Sequence, residues 1–149
     1  MIALACDHAA LEMKQMIKNL LNEMGLEYHD YGTFTEDSCD NPIFAARAAG
    51  AVASGECDRA IVICGTGIGM SIAANKVKGV RCALCGDVYS AEMTRRHNDS
   101  NVLALGARVT GIEVARLIAK TWLTTEFEGG RHARRVELIS KIEAGENLG

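Results

Sequence analysis

The chain has 149 residues, 48% of them hydrophobic and 23% charged, with a formal net charge of −3. That length fits one domain with a core on both faces of a small sheet, and the mild acidity excludes nucleic-acid binding through a general basic field. Aromatic residues, at 5%, are too few for base-stacking platforms; no apolar run is long enough to span a bilayer, and no N-terminal stretch has a leader pattern, so the cytoplasm is the expected compartment.

In chain order, residues 2–6 (IALAC) read as a short apolar strand. Residues 9–24 follow as a helix, with Met13, Ile17, Leu20 and Met24 at helical spacing. Gly25 ends it, and 26–31 (LEYHDY) reads as a second strand. A polar loop leads to Pro42, which suits the first turn of a helix running to about Ser54. The run RAIVIC (59–64) predicts a buried strand, and a glycine loop then opens a short helix to about Lys76. Strand 80–85, helix 87–97, strand 101–106 and helix 110–124 complete the alternation, and a last helix starts near Arg131 after Gly129-Gly130. Short strands alternating with helices predict an α/β domain over 1–149. The expected fold is three-layered and Rossmann-like, with a five-stranded parallel sheet covered on both faces and an added C-terminal helix.

Six cysteines raise the question of zinc or disulfides. Cys82 and Cys85 form a CxxC, but within a strand residues three apart point to opposite faces. No second CxxC or histidine pair stands at metal-ligand spacing. The cysteines are expected to be reduced, mostly as small core residues, and no metal site is predicted.

Asp7 and His8 follow the first strand and Cys64 ends the third, so all three fall at the carboxyl edge of the sheet, where open α/β folds bind ligands. The loop CGTGIGM (64–70) opens a helix, so its free N–H groups would favour an anion. It is no dinucleotide fingerprint, because Met70 stands where GxGxxG needs glycine, and there is no GxxxxGK. A tight strand-to-helix turn would also explain the glycines. A thiol at a helix N-terminus has its anion favoured, which makes Cys64 a candidate base or nucleophile; the alternative is a strand-end cysteine packed as a small hydrophobe. Thr66 either orients a substrate hydroxyl or caps the helix.

Arg131, Arg134 and Arg135 lie in or near the first turn of the last helix. Cations there oppose the helix dipole unless an anion lies between them. Arg131 and Arg135, four apart, share a face and could grip a phosphate; a solvated basic face is the alternative. His97 ends a helix, where the dipole favours imidazolium, as a proton donor or a simple C-cap.

Together ACDHAA, ICGTGIGMSIAANK, RRHNDSNVLALGARV and EGGRHARRV resemble the sugar-phosphate isomerase family that contains ribose-5-phosphate isomerase B and the galactose-6-phosphate isomerase subunits. The resemblance covers almost the whole chain. It implies interconversion of ribose 5-phosphate and ribulose 5-phosphate through a cis-enediolate, with no metal or other cofactor. It implies Cys64 as the base that moves a proton between C2 and C1. Other members carry serine there and glutamate at the position of Met70, which cannot take a proton. The backbone N–H groups of Gly65, Gly67, Ile68 and Gly69 would hold the enediolate oxygens. His97 matches the residue that assists ring opening, with Asn98 beside it. Asp7 and His8 match sugar or phosphate contacts, Arg108, Arg131 and Arg135 match phosphate-binding arginines, and Thr66 matches a substrate-positioning threonine.

His97 precedes its strand and so falls at the amino edge of the sheet, opposite Cys64. A helix of about eleven residues spans roughly 16 Å, so one subunit can hardly bring both groups to one sugar. A homodimer, or a tetramer built from it, with the site shared between subunits is expected, as the resemblance also implies. Many members have tyrosine before the second helix where this chain has Asn41. That leaves allose 6-phosphate and galactose 6-phosphate as alternative substrates. A non-catalytic sugar-phosphate or nucleotide-binding module is the rival from another class. It would have no use for Cys64, Thr66 and His97 together.

Overall fold

The computed structural model describes residues 1–149. The elements are β1 (Ile2–Cys6), α1 (Leu11–Glu23), β2 (Tyr28–Asp30), α2 (Asn41–Ala53), β3 (Arg59–Cys64), α3 (Ile68–Ala74), β4 (Cys82–Leu84), α4 (Val88–Asn98), β5 (Val102–Gly106), α5 (Ile112–Thr124) and α6 (Arg131–Glu143). The five strands form one sheet in the order β2-β1-β3-β5-β4, and every pair is parallel. The expected α/β architecture is the observed one.

Alternation along the central strands builds the three layers. Ile2, Leu4 and Cys6 of β1, with Ile61, Ile63, Leu103 and Leu105, bury one face under α1 and α5, where Ile17, Leu20, Ile118 and Trp122 reach the sheet. Ala3, Ala5, Ala60, Val62 and Ala104 turn to the other face, under the alanines of α2 and Met70 and Ala74 of α3. Small residues on both sides of that second interface let α2 lie close to the sheet. Cys85 joins the first core and Cys82 packs against the second, on opposite faces. Burial pushes the Cys82 thiol up to about 12 and Cys85 up to about 11, and all six cysteines are unpaired.

The edge strands are shorter than expected, three residues each. Each has a neighbour on one side only, so pairing stops where the partner strand stops supporting it. A charged cluster sits beneath β2. Lys14, 3% exposed, binds Asp30 at 2.9 Å and the Thr33 carbonyl at 2.5 Å, and Lys18 reaches Asp30 at 2.6 Å. Burial raises the Asp30 carboxyl, but Lys18, Lys14 and the Gly32 N–H outweigh it and hold the group below its ordinary value. The C-terminal α6 leans on α4 and buries only His132. No helix is long and apolar enough to cross a membrane.

Candidate active site

The strand order places a topological switch between β1 and β3: the chain leaves β1 toward β2 on one side and returns to β3 on the other. The carboxyl ends of two such strands open a crevice suited to ligands. Asp7 and His8 leave β1 at this point, and Cys64 ends β3 beside them, with the Asp7 N–H on the Ile63 carbonyl at 3.0 Å.

Asp7 is buried and accepts the Ala9 N–H at 2.9 Å. His8 Nδ1 accepts the Cys39 N–H at 3.3 Å. The neutral His8 ring that accepts this bond carries its proton on Nε2.

The glycine loop is zipped to the segment after β5. The Ala107 N–H donates to the Cys64 carbonyl and the Arg108 N–H to the Gly65 carbonyl, both at 2.9 Å. Gly67 is left-handed at φ +79. Its N–H donates to Cys64 Sγ at 3.2 Å, which holds the thiol at the head of α3. Thr66 Oγ1 accepts the Ile68 N–H at 3.2 Å, so its hydroxyl caps the helix while remaining exposed. Two of the N–H groups expected to face an oxyanion are thus occupied. Those of Gly65, Thr66 and Gly69 donate to no protein acceptor and lie at residues that keep some exposure, whereas Met70 is closed off from solvent altogether. The Met70 side chain itself is fully buried.

Two side chains lean over this loop. A Cβ on Gly65 would lie 3.4 Å from Arg108 Cδ and 3.7 Å from its Nη1. Arg108 is exposed and pairs with no carboxylate, so its charge is available to an anion over the loop. A Cβ on Gly69 would lie 3.0 Å from Asn41 Nδ2, so the Asn41 amide rests directly on the first turn of α3. A hollow of about 280 Å³ opens beside the loop between Thr66, Ile68, Leu84 and Val109.

The remaining expected residues lie at the other edge. Helix α4 is 11 residues long, roughly 16 Å, and runs from the carboxyl end of β4 back to the amino end of β5. His97 and Asn98 end it, and α6 begins alongside. Arg131, Arg134 and Arg135 are exposed and none has a carboxylate partner. The residues expected from the sequence therefore fall into two groups in one chain: Asp7, His8, the Cys64 loop and Arg108 at the carboxyl edge, and His97, Asn98, Arg131 and Arg135 at the amino edge.

The second group also contains a residue with no role in the sequence reading. His132 stacks on His97 with ring centroids 4.2 Å apart and planes 12° from parallel. Its Nε2 lies 3.6 Å from Glu128 Oε2, and Arg96 grips Glu128 Oε1 at 2.6 and 2.5 Å. Burial, then His97, Arg131 and Arg135, hold the His132 imidazole below its ordinary value against the opposing pull of Glu128. His132 lies within the quoted stretch EGGRHARRV, but thirty-odd residues from His97, so nothing in the local pattern announces the stack.

Known proteins share this sequence pattern and fold. A sequence profile described as ribose/galactose isomerase matches residues 2–139. Ribose-5-phosphate isomerase B of Escherichia coli is 49% identical over 146 residues, covering 98% of each chain. D-erythrulose-4-phosphate isomerase of Pectobacterium atrosepticum is 46% identical over 145 residues, 95% of this chain and 94% of that one. The solved structure of Clostridium thermocellum ribose-5-phosphate isomerase B superimposes with a TM-score of 0.95 at 52% identity, over 97% of both chains. Matched across nearly all of its length in sequence and in fold, the chain belongs to the ribose/galactose isomerase family, whose members are aldose–ketose isomerases.

Proposed function

We propose that the protein interconverts ribose 5-phosphate and ribulose 5-phosphate, with Cys64 as the base. The observation that carries this reading is the thiol of Cys64, held by the Gly67 N–H at 3.2 Å at the start of a loop with unpaired N–H groups. The Cys64 thiolate removes the proton from C2 of the open-chain aldose, and the electron pair moves toward the C1 oxygen. The N–H groups of Gly65, Thr66 and Gly69 stabilise the developing enediolate oxygens. The O2 hydroxyl proton passes to O1, the same sulfur returns the proton taken from C2 to C1, and the electron pair on O2 closes the C2 ketone, leaving the thiolate as it began. No carboxylate competes for this role in the loop, because Met70 is buried and cannot ionise.

The other half-site supplies ring opening and phosphate binding. His97, beside Asn98, exchanges a proton with the ring oxygen, while Arg131 and Arg135 neutralise the phosphate. Because these groups sit at the opposite sheet edge from Cys64, we infer a composite site in which one subunit brings the Cys64 loop, Asp7, His8 and Arg108. A second subunit brings His97, Asn98, Arg131 and Arg135. The assembly is then a homodimer or a tetramer of such pairs. Six unpaired cysteines suit a reducing compartment such as the cytoplasm.

Asn41 favours a second substrate. Its short amide on Gly69 leaves more room over the loop than a tyrosine would, which suits a six-carbon phosphate such as allose 6-phosphate. The test is isomerisation of ribose 5-phosphate by the purified protein in excess chelator, with allose 6-phosphate run in parallel. Turnover of the pentose supports the main reading, turnover of the hexose alone moves the specificity, and no turnover of either refutes isomerisation of these sugars.

A further inference from the structure

The end of α4 and the start of α6 bring His97, Glu128 and His132 together so that one donor atom from each lies within 4.8 Å of the others. We propose that these three residues form a site for a borderline transition-metal cation of the zinc class, and that its occupancy inhibits the enzyme. The inhibitory part rests on the role given above to His97; the binding part does not.

Two imidazoles and one carboxylate are a donor set that zinc uses in sites with an open fourth position. Magnesium and calcium prefer all-oxygen shells and are poorly served by it. The surroundings prepare two of the three ligands. Arg96 holds Glu128 Oε1 through Nε and Nη2, which leaves Oε2 turned to His132. Such outer contacts orient metal ligands. His132 is 5% exposed, and its ring is confined by that burial and by Glu128 Oε2, 3.6 Å from Nε2.

His97 is the ligand that must move. Stacked rings carry their lone pairs side by side rather than toward one point. Donors about 2.0–2.1 Å from a tetrahedral zinc lie roughly 3.4 Å apart, so the half-exposed His97 ring swings out of the stack and closes on Glu128. Arg131 and Arg135 weaken cation binding by repulsion and favour an anion such as phosphate in the fourth position. A His97 nitrogen bonded to the ion has no lone pair to exchange a proton with the sugar, so isomerisation stops and resumes when chelator is added.

The test is calorimetric titration of the full-length protein with zinc chloride, followed by cobalt chloride read by visible absorption. Wild type is expected to bind with nitrogen and oxygen ligation, magnesium chloride to give no binding, and Glu128→Gln and His132→Gln to weaken zinc at least tenfold. Glu128→Gln should keep wild-type turnover in chelator and lose zinc inhibition. Absence of zinc binding, thiolate charge-transfer bands with cobalt, or unchanged affinity in both variants would overturn the site. Binding without loss of turnover would overturn the inhibition. Because binding is read without substrate, an inactive wild type would refute the isomerase reading and leave the metal site to stand or fall on the titration.

Discussion

Replacing Gly67 with alanine tests the geometry of the loop. Gly67 has φ +79, and an added Cβ would meet Leu84 Cδ1 at 2.5 Å and the Leu105 carbonyl carbon and oxygen at 2.9 and 3.0 Å. Leu84 is 41% exposed and can turn away, but Leu105 is fully buried in β5 and its backbone cannot. A left-handed alanine costs about 1–2 kcal/mol, and overpacking against a rigid wall adds about 1–3 kcal/mol. Lower entropy of the unfolded chain offsets about 0.4–1 kcal/mol, leaving a loss of roughly 1–4.5 kcal/mol. At about 2–4 °C per kcal/mol for a domain of this size, melting should fall by roughly 2–18 °C. Gly25→Ala is the control: Gly25 has φ +69 with nothing within 4 Å of an added Cβ, so the backbone strain of about 1–2 kcal/mol and the same unfolded-chain offset apply without the overpacking cost. Thermal melts by circular dichroism, with turnover measured well below the transition, decide the matter. Gly67→Ala should also lose activity, because the N–H that holds Cys64 Sγ is displaced. A Gly67→Ala protein that melts with Gly25→Ala and turns over normally would refute the reasoning.

Other consequences concern single groups. Arg135→Ala should raise KM for the sugar phosphate with little change in kcat, read from steady-state kinetics; an unchanged KM would contradict the phosphate assignment. Asn41→Tyr should lower turnover of allose 6-phosphate relative to ribose 5-phosphate in paired assays. Asp30→Asn leaves Lys14 buried without its carboxylate and should cost about 3–5 kcal/mol at neutral pH. The folded Asp30 carboxyl is held below its ordinary value, so its contribution is complete above the unfolded value near about 3.9. It is lost as pH falls through the lower folded one. The melting difference between wild type and Asp30→Asn should therefore narrow below about pH 4.

The fold was legible because β1, β3 and β5 are nearly unbroken apolar runs with helices of clear period between them. The order of the strands was not, since β4 lying outside β5 depends on pairing that local pattern does not encode. The internal hydrogen bonds of the loop were not legible for a similar reason. That Gly67 and Ile68 spend their N–H groups on Cys64 and Thr66 depends on side-chain torsions, which composition does not reveal. Lys14 reads from sequence as one more charge on an amphipathic helix, and only the return of residues 30–33 beneath it makes it a buried anchor. Placing His97 opposite Cys64 needed nothing beyond the alternation of strand and helix, whereas the His97–His132 stack required the docking of α6 on α4.

The most direct test of the central claim is the rate of ribose 5-phosphate isomerisation by Cys64→Ala beside wild type, both in excess chelator. The account predicts fast wild-type turnover and a loss of about 10²–10⁴-fold or more in the variant, the range expected when a positioned base is removed, with binding of a phosphate ligand retained. Turnover of Cys64→Ala within a few-fold of wild type would contradict it.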